Sequence, residues 1–315
     1  MERHHKPWDL TAGVSRIFIL GALVLFLACP CSALAKGVMT DLGTLGGSYT
    51  AAYAINNRGQ IAGTSTTESL LFHFHAFLYS DGVMTDLGTL FGGSYSEAYG
   101  INNVGQIVGY ADTADGEYHA FLYDKGVMTD LHTFESGTTS FAIGINDRGQ
   151  ITGQWYTAPL SSSAFLYSNG VMTDLGTLGG YSNAYGWGIN SIGEVVGASY
   201  TEEGGSPTYR AFLYSNGVMT GLGPIAETYS EAFGINNIGQ IVGYYETESG
   251  EYHAFLYTKG VVTDLGTLES GTMSSALGIN DRGQMVGMST TDPEDTDLDR
   301  HAFFFTLPRV PPRRP

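Results

Sequence analysis

Large and small apolar residues alternate along short runs of this chain, as in Gln106-Ile-Val-Gly-Tyr110 and His119-Ala-Phe-Leu-Tyr123, while polar residues gather between the runs. A strand with one wet face alternates apolar with polar, so large-small alternation predicts strands covered by protein on both faces. The runs come in sets of four and in one order: Val-Met-Thr-Asp-Leu-Gly-Thr-Leu, a run ending Tyr-Gly-Ile-Asn, then Gln-Ile-Val-Gly-Tyr, then His-Ala-Phe-Leu-Tyr. Asn-x-x-Gly separates the second run from the third and predicts a hairpin whose glycine takes a positive φ. Pairs such as Asp81-Gly82, Asn169-Gly170 and Asn216-Gly217 separate the fourth run from the next first run, a two-residue hairpin signal. The pattern predicts an antiparallel meander, and the 44 glycines disfavour long helices.

The set returns six times. Its first runs begin at Gly37, Gly82, Gly126, Gly170, Gly217 and Gly260, 43 to 47 residues apart. Four-stranded meanders at that period read as propeller blades. The first copy opens with a run, Val38 to Leu45, that has no Ala-Phe partner before it, and the last copy ends at His301-Ala-Phe-Phe-Phe305 with no such run after it. Each end lacks what the other has. The expected fold is therefore all-β: a six-bladed β-propeller of four-stranded antiparallel blades, closed by pairing of the N-terminal strand with the last blade. The expected domains are a leader at 1–35, the repeat domain at 36–305 and a Pro/Arg tail at 306–315, since proline-rich sequence does not continue a sheet.

Positions common to all six copies are Ile55, Asn56, Gly59, Gly63, Ala76 and Phe77 and their counterparts. The structural reading gives the asparagines to the turns, the glycines to turns and close strand approach, and the phenylalanines to the space between blades. The His-Ala-Phe triplets at His75, His119, His253 and His301, with the Ile-Asn-x-x-Gly-Gln-Ile-Val-Gly core, resemble the HAF repeat of probable extracellular repeat proteins of bacteria. Two copies depart in the first triplet position, at Ser163 and Arg210. The resemblance implies an exported, propeller-like repeat protein and no activity attached to named residues.

The first 35 residues fit that expectation. Arg3, Lys6 and Arg16 precede the apolar run Ile17 to Ala28, and Ala33-Leu34-Ala35 follows before Lys36, the order of a secretory signal peptide. The run is short for a membrane span. Both cysteines, Cys29 and Cys31, lie in this leader, so the exported chain has no thiol or disulfide chemistry. The full chain carries a net charge of -17. That balance disfavours nucleic acid and anionic membranes, which need a cationic track, and leaves glycans, cations or basic protein segments as the partners to expect. The expected location is extracellular or periplasmic, and the expected state is a monomer with no stable membrane span.

Function is sought where the copies differ. With Tyr-Gly-Ile-Asn as innermost strand, both short hairpins fall on one face and both longer loops on the other. The longer loops carry Tyr49, Tyr95, Tyr181 and Tyr229, with the acids Asp112, Asp115, Glu117, Glu246 and Glu248. Tyrosines beside carboxylates on a rigid scaffold suit sugars or cationic peptide segments. Asp295, Asp297 and Asp299 resemble the opening of a calcium loop but lack its glycine turn and distal glutamate. Calcium is the one cofactor this suggests. No Gly-x-Ser-x-Gly, His-Glu-x-x-His or phosphate-cradling motif is present, so no catalytic residue is named; a carbohydrate-active hydrolase with carboxylates meeting across blades, and a purely structural surface protein, are the alternatives.

Overall fold

A computed structural model describes residues 40–67, 73–131, 139–158, 161–201, 208–227, 229–292 and 300–306. By contacts the chain divides into two compact units, Met1–Asp41 and Leu42–Pro315, and the strands all belong to the second. The expected leader at 1–35, nearly all of the tail, and Asp295, Asp297 and Asp299 lie outside the described residues.

The fold is all-β, with one short 3-10 turn at Gly223–Glu227 and no α-helix among the described residues. Six antiparallel meanders follow one another, here called repeats one to six. In the second, Ser96–Ile101, Ile107–Asp112, Tyr118–Asp124 and Val127–Asp130 pair in chain order. Repeats one to five each have four such strands. Repeats three and four share one sheet only through a single parallel pairing, Ser162 with Asn183. Repeat six has three strands among the described residues, Ser274–Ile279, Gln284–Ser289 and His301–Thr306. The expected closing strand is a point of difference: residues 40–44 lie in no strand, and Leu45 bridges to Thr67 inside the first repeat's own sheet.

The innermost strands of repeats one to five each pack beside that of the next repeat, and the large-small alternation shows why. Phe77, Phe121, Phe165, Phe212 and Phe255 are wholly buried, and the last four fill the space between two sheets. The glycine that pairs with each phenylalanine permits it: a Cβ on Gly109 or Gly243 would lie 1.8 Å from the carbonyl oxygen of Glu97 or Glu231 on the innermost strand. The core is thus a series of inter-repeat clusters such as Val108, Ala142, Ile151 and Phe165.

One junction differs. Ala62, Val108, Thr152, Val196 and Val242 hold one register position in repeats one to five and are all 0% exposed, whereas Val286 in repeat six is 52% exposed. Ala302 is exposed, while Ala76, Ala120, Ala164, Ala211 and Ala254 are fully buried. On the far side of the gap Ile55 is 67% exposed against 9% for Ile101. Val286 and Ala302 on the outer face of repeat six, and Ile55 at the leading edge of repeat one, are thus exposed where their counterparts are buried or half-buried, although Phe77 of repeat one is fully buried.

All six innermost strands carry a β-bulge at one position. The register shifts between Ala98 and Gly100, and at the same place in every other repeat, so Tyr53, Tyr99, Ile143, Trp187, Phe233 and Leu277 each stand outside the ladder. The residue is bulky in every copy but differs in kind.

Candidate functional site: the aromatic rim and its carboxylates

The innermost strand of each repeat runs from the long-loop end, where Tyr95 precedes it, to the short-turn end, where Asn102 follows it. The two ends have different chemistry. At the long-loop end aromatic rings touch from one repeat to the next. Tyr53 stacks on Tyr99 at 4.9 Å and 11°, Tyr99 on Tyr110 at 5.9 Å, and Tyr110 meets Phe141 edge-on at 4.7 Å. Farther round, Tyr185 stacks on Tyr200 at 4.9 Å, Tyr200 on Tyr209 at 4.8 Å, and Tyr209 leans on Tyr229 at 5.0 Å. Offset and edge contacts of this kind add to the burial of each ring and hold it rigid.

Two carboxylates sit behind these rings at one register position of repeats two and five. Glu97 is 8% exposed and accepts hydrogen bonds from the hydroxyls of Tyr95 and, at 2.6 Å, Tyr99. Glu231 accepts from the Tyr244 hydroxyl at 2.7 Å. Burial pushes the Glu231 carboxyl above its ordinary range, although the Tyr244 bond and the nearby Trp187 indole act the other way. The indole N–H of Trp187 is itself buried without a hydrogen bond of normal geometry, so its effect is one of approach. No cationic side chain pairs with Glu97 or Glu231 among the described residues. Burial, with help from Glu97, pushes the Tyr53 hydroxyl up to about 12. Burial and the bond to Glu97 raise Tyr95 and Tyr99 further. Sequence reasoning passed over both glutamates; the available signal was a charged residue inside a buried run, Ser96-Glu-Ala and Ser230-Glu-Ala.

The residues expected to bind divide. Tyr49, Tyr95 and Tyr229 do join the aromatic rim, Tyr49 against Phe74 and Tyr229 against Tyr244 and Tyr252. Tyr181 does not: backbone register puts Asn183 in the place of Tyr95, two residues on, and Tyr181 closes a local turn on Leu178. Asp112 fastens a loop, accepting from the Ser94 and Tyr95 amides at 2.7 Å each. Glu117 accepts from Thr139 at 3.0 Å, and Asp115 and Glu248 stand in solvent. Glu246 ends its strand and is half-buried near Tyr252, whose hydroxyl is raised first by burial and then by this charge. The triplet histidines bond locally, His75 to Asp86, His119 to Asp130 and His253 to Asp264 at 2.8–2.9 Å. No group of three metal-ligating side chains forms among the described residues.

At the short-turn end the six Ile-Asn pairs surround a cavity of about 290 Å³. Each asparagine does more than fold its own turn. Asn102 Oδ1 accepts from the amides of Val104 and Gln106, while its Nδ2 donates to Gln106 Oε1 at 2.8 Å and to the Asn146 carbonyl of the next repeat at 3.0 Å. The same link runs from Asn56 to Asn102, from Asn146 to Asn190, on to Asn236 and then to Asn280. The polar ring is thus structural, as the sequence reading held, but it also ties repeat to repeat. These bonds use the amides, which leaves the long-loop rim as the end with chemistry to offer.

No family model matches the sequence, and no curated protein does. The chain is similar to the β-propeller domain of the Trilobed protease from Pyrococcus furiosus, described as having an open velcro topology, at 10% identity over 81% of each chain with a TM-score of 0.54. It is also similar to the Aleuria aurantia lectin, described as a six-bladed β-propeller with a fucose recognition mode, at 12% identity over 80% of this chain and 89% of that one, TM-score 0.43. SapL1 lectin, solved with alpha methyl fucoside, matches at 12% identity over 83% and 97%, TM-score 0.46. At such identities a likeness speaks for the fold alone. The successive meanders, the cavity that all six share and the likeness to the Pyrococcus domain make this chain a β-propeller-type fold.

Proposed function

We propose that this protein is an exported binding module of the HAF-repeat kind, which takes its ligand at the long-loop rim by ring stacking and by hydrogen bonding to tyrosine-held carboxylates. The observation that carries the reading is the aromatic belt with Glu97 and Glu231 behind it. Rigid rings and buried acceptors on one rim are what a sugar or a basic peptide segment would use, and an acidic chain adds long-range attraction for the latter. Among the described residues no helix is long and apolar enough to cross a membrane. We further infer that the ring of six closes when residues 38–45 supply the fourth strand of repeat six; the exposure of Val286, Ala302 and Ile55 supports this.

A second reading is hydrolysis. Glu97 and Glu231 hold equivalent positions with different surroundings, and one is biased toward protonation. A glycan array followed by turnover assays on any hit tests both. Binding lost in E97Q and E231Q without product formation supports the module; product formation lost in E231Q supports the hydrolase; no glycan or basic-peptide ligand at all counts against the rim.

A further inference from the structure

The junction of repeats five and six carries a cavity at the long-loop end. In repeat two this end of the sheet holds Glu97, its strand partner Tyr110, which meets Phe141 of repeat three, and the bulge residue Tyr99, whose ring stacks on Tyr53 of repeat one and on Tyr110. The same places in repeat six hold Ser275, its partner Met288, and the bulge residue Leu277. Two rings and a carboxylate are thus replaced by a hydroxymethyl, a thioether and an isobutyl group. The facing wall on repeat five has kept its rings: Phe233, Tyr244 and Tyr252. The result is a cavity of about 350 Å³ with an aromatic wall on one side and a soft aliphatic wall on the other. That size and lining are those of a small-molecule pocket.

We propose that this cavity binds a planar aromatic compound bearing a hydroxyl group, a phenol in chemical class, seated where Tyr99 and Tyr110 stand in the second repeat. The inference rests on the reading of the long-loop rim as a binding surface and gives one part of it a ligand. Phe233 touches Trp187 on its repeat-four side at 6.1 Å and faces Leu277 on the other, so an incoming ring extends an existing row of rings. Met288 and Leu277 adapt to its second face. In repeat two the Tyr99 hydroxyl donates to Glu97; a phenol hydroxyl here meets Ser275, which holds that register position. Arg300 lines the same cavity, and a guanidinium favours a flat, electron-rich ring over an organic cation.

The test uses p-cresol, which is the tyrosine side chain itself, and 2-naphthol, titrated calorimetrically into the full chain beside methyl glycosides. One site with Kd on the order of 0.1–1 mM for the phenols is expected. The double substitution L277Y and M288Y rebuilds the residues of repeat two and should weaken phenol binding at least tenfold while leaving Tm equal or higher. Leu277→Ala, which widens the cavity, should shift preference from p-cresol toward 2-naphthol. Unchanged phenol binding in the filled variant overturns the proposal. Glycoside binding with no phenol binding overturns it while the rim reading stands, and binding of neither class counts against both.

Discussion

Val242 and Val286 occupy the same place in consecutive repeats, yet the first is fully buried and the second is 52% exposed. The difference is one of neighbours, because Val242 packs on Ala276 and Met285 of the repeat that follows it. Val242→Ala should therefore cost about 2 kcal/mol. Val286→Ala should cost as much if repeat one covers it in the closed ring and under about 0.5 kcal/mol if the seam stays open. Chemical denaturation of the two variants, with and without residues 37–45, measures closure directly.

The asparagine links run in one direction and stop at the same seam. Asn102 is 3% exposed and each of its amide groups is engaged, so Asn102→Ala should lose about 2–3 kcal/mol through buried groups left without partners. Asn280 is exposed, and among the described residues its side chain bonds only within its own turn. Its alanine variant should lose clearly less, unless closure brings a carbonyl to it. Comparing the two denaturation midpoints decides this.

Glu231 sets a pH dependence whose sign is fixed by its raised pKa. A folded pKa above the unfolded one means that the native state holds its proton more tightly, so stability falls as pH rises from about 4.5 through the folded value. Glu231→Gln should be more stable than the native chain at pH 8 and should lose that advantage below about pH 4.5. Asp86 acts oppositely: burial opposes ionisation, but the His75 and Gly88 bonds outweigh it and hold the group low. Its stabilising effect is present above its unfolded pKa and fades as acid protonates it. Melts of E231Q and D86N across pH 3–8 should cross in direction.

Lys125 and Lys259 take φ of 49° and 51°, in the left-handed region where Asn169 and Asn216 stand in the matching turns. Asparagine tolerates that region better than lysine. Lys125→Asn should raise stability by about 0.5 kcal/mol, read as a small rise in Tm. No change would mean that the turn gains nothing from the local preference.

Phe121 is fully buried and Phe303, its sixth-repeat counterpart, only partly so. Phe121→Ala should cost about 3–5 kcal/mol by opening a cavity between sheets. The same change at Phe303, which packs on repeat five but is only partly buried, should cost less.

The meanders were legible in the sequence because their cause is local: Asn-x-x-Gly and x-Gly turns fix register, and large-small alternation tells of two covered faces. The burial of Phe121 followed from the same period. The carboxylates were not legible, because Glu97 differs from an exposed glutamate only through the tyrosines that fold around it. Tyr181 misled because loop sequences were aligned by residue type, whereas backbone register counts from the strand. The closing strand was argued from what each end lacks, and the described residues 40–44 do not form it.

The bulge on each innermost strand separates two kinds of inheritance. Tyr53, Tyr99, Ile143, Trp187, Phe233 and Leu277 stand outside the ladder, so a change of side chain there disturbs no strand pairing. Deleting one of them is another matter: the Gly-Ile-Asn that follows would slip by one residue, turn its side chains over and uncouple that repeat's asparagine from its neighbour. The position is rigid in length and permissive in content. A lineage of such chains can rewrite the lining of its lumen one copy at a time, while the frame that carries it tolerates no insertion or loss at the same spot.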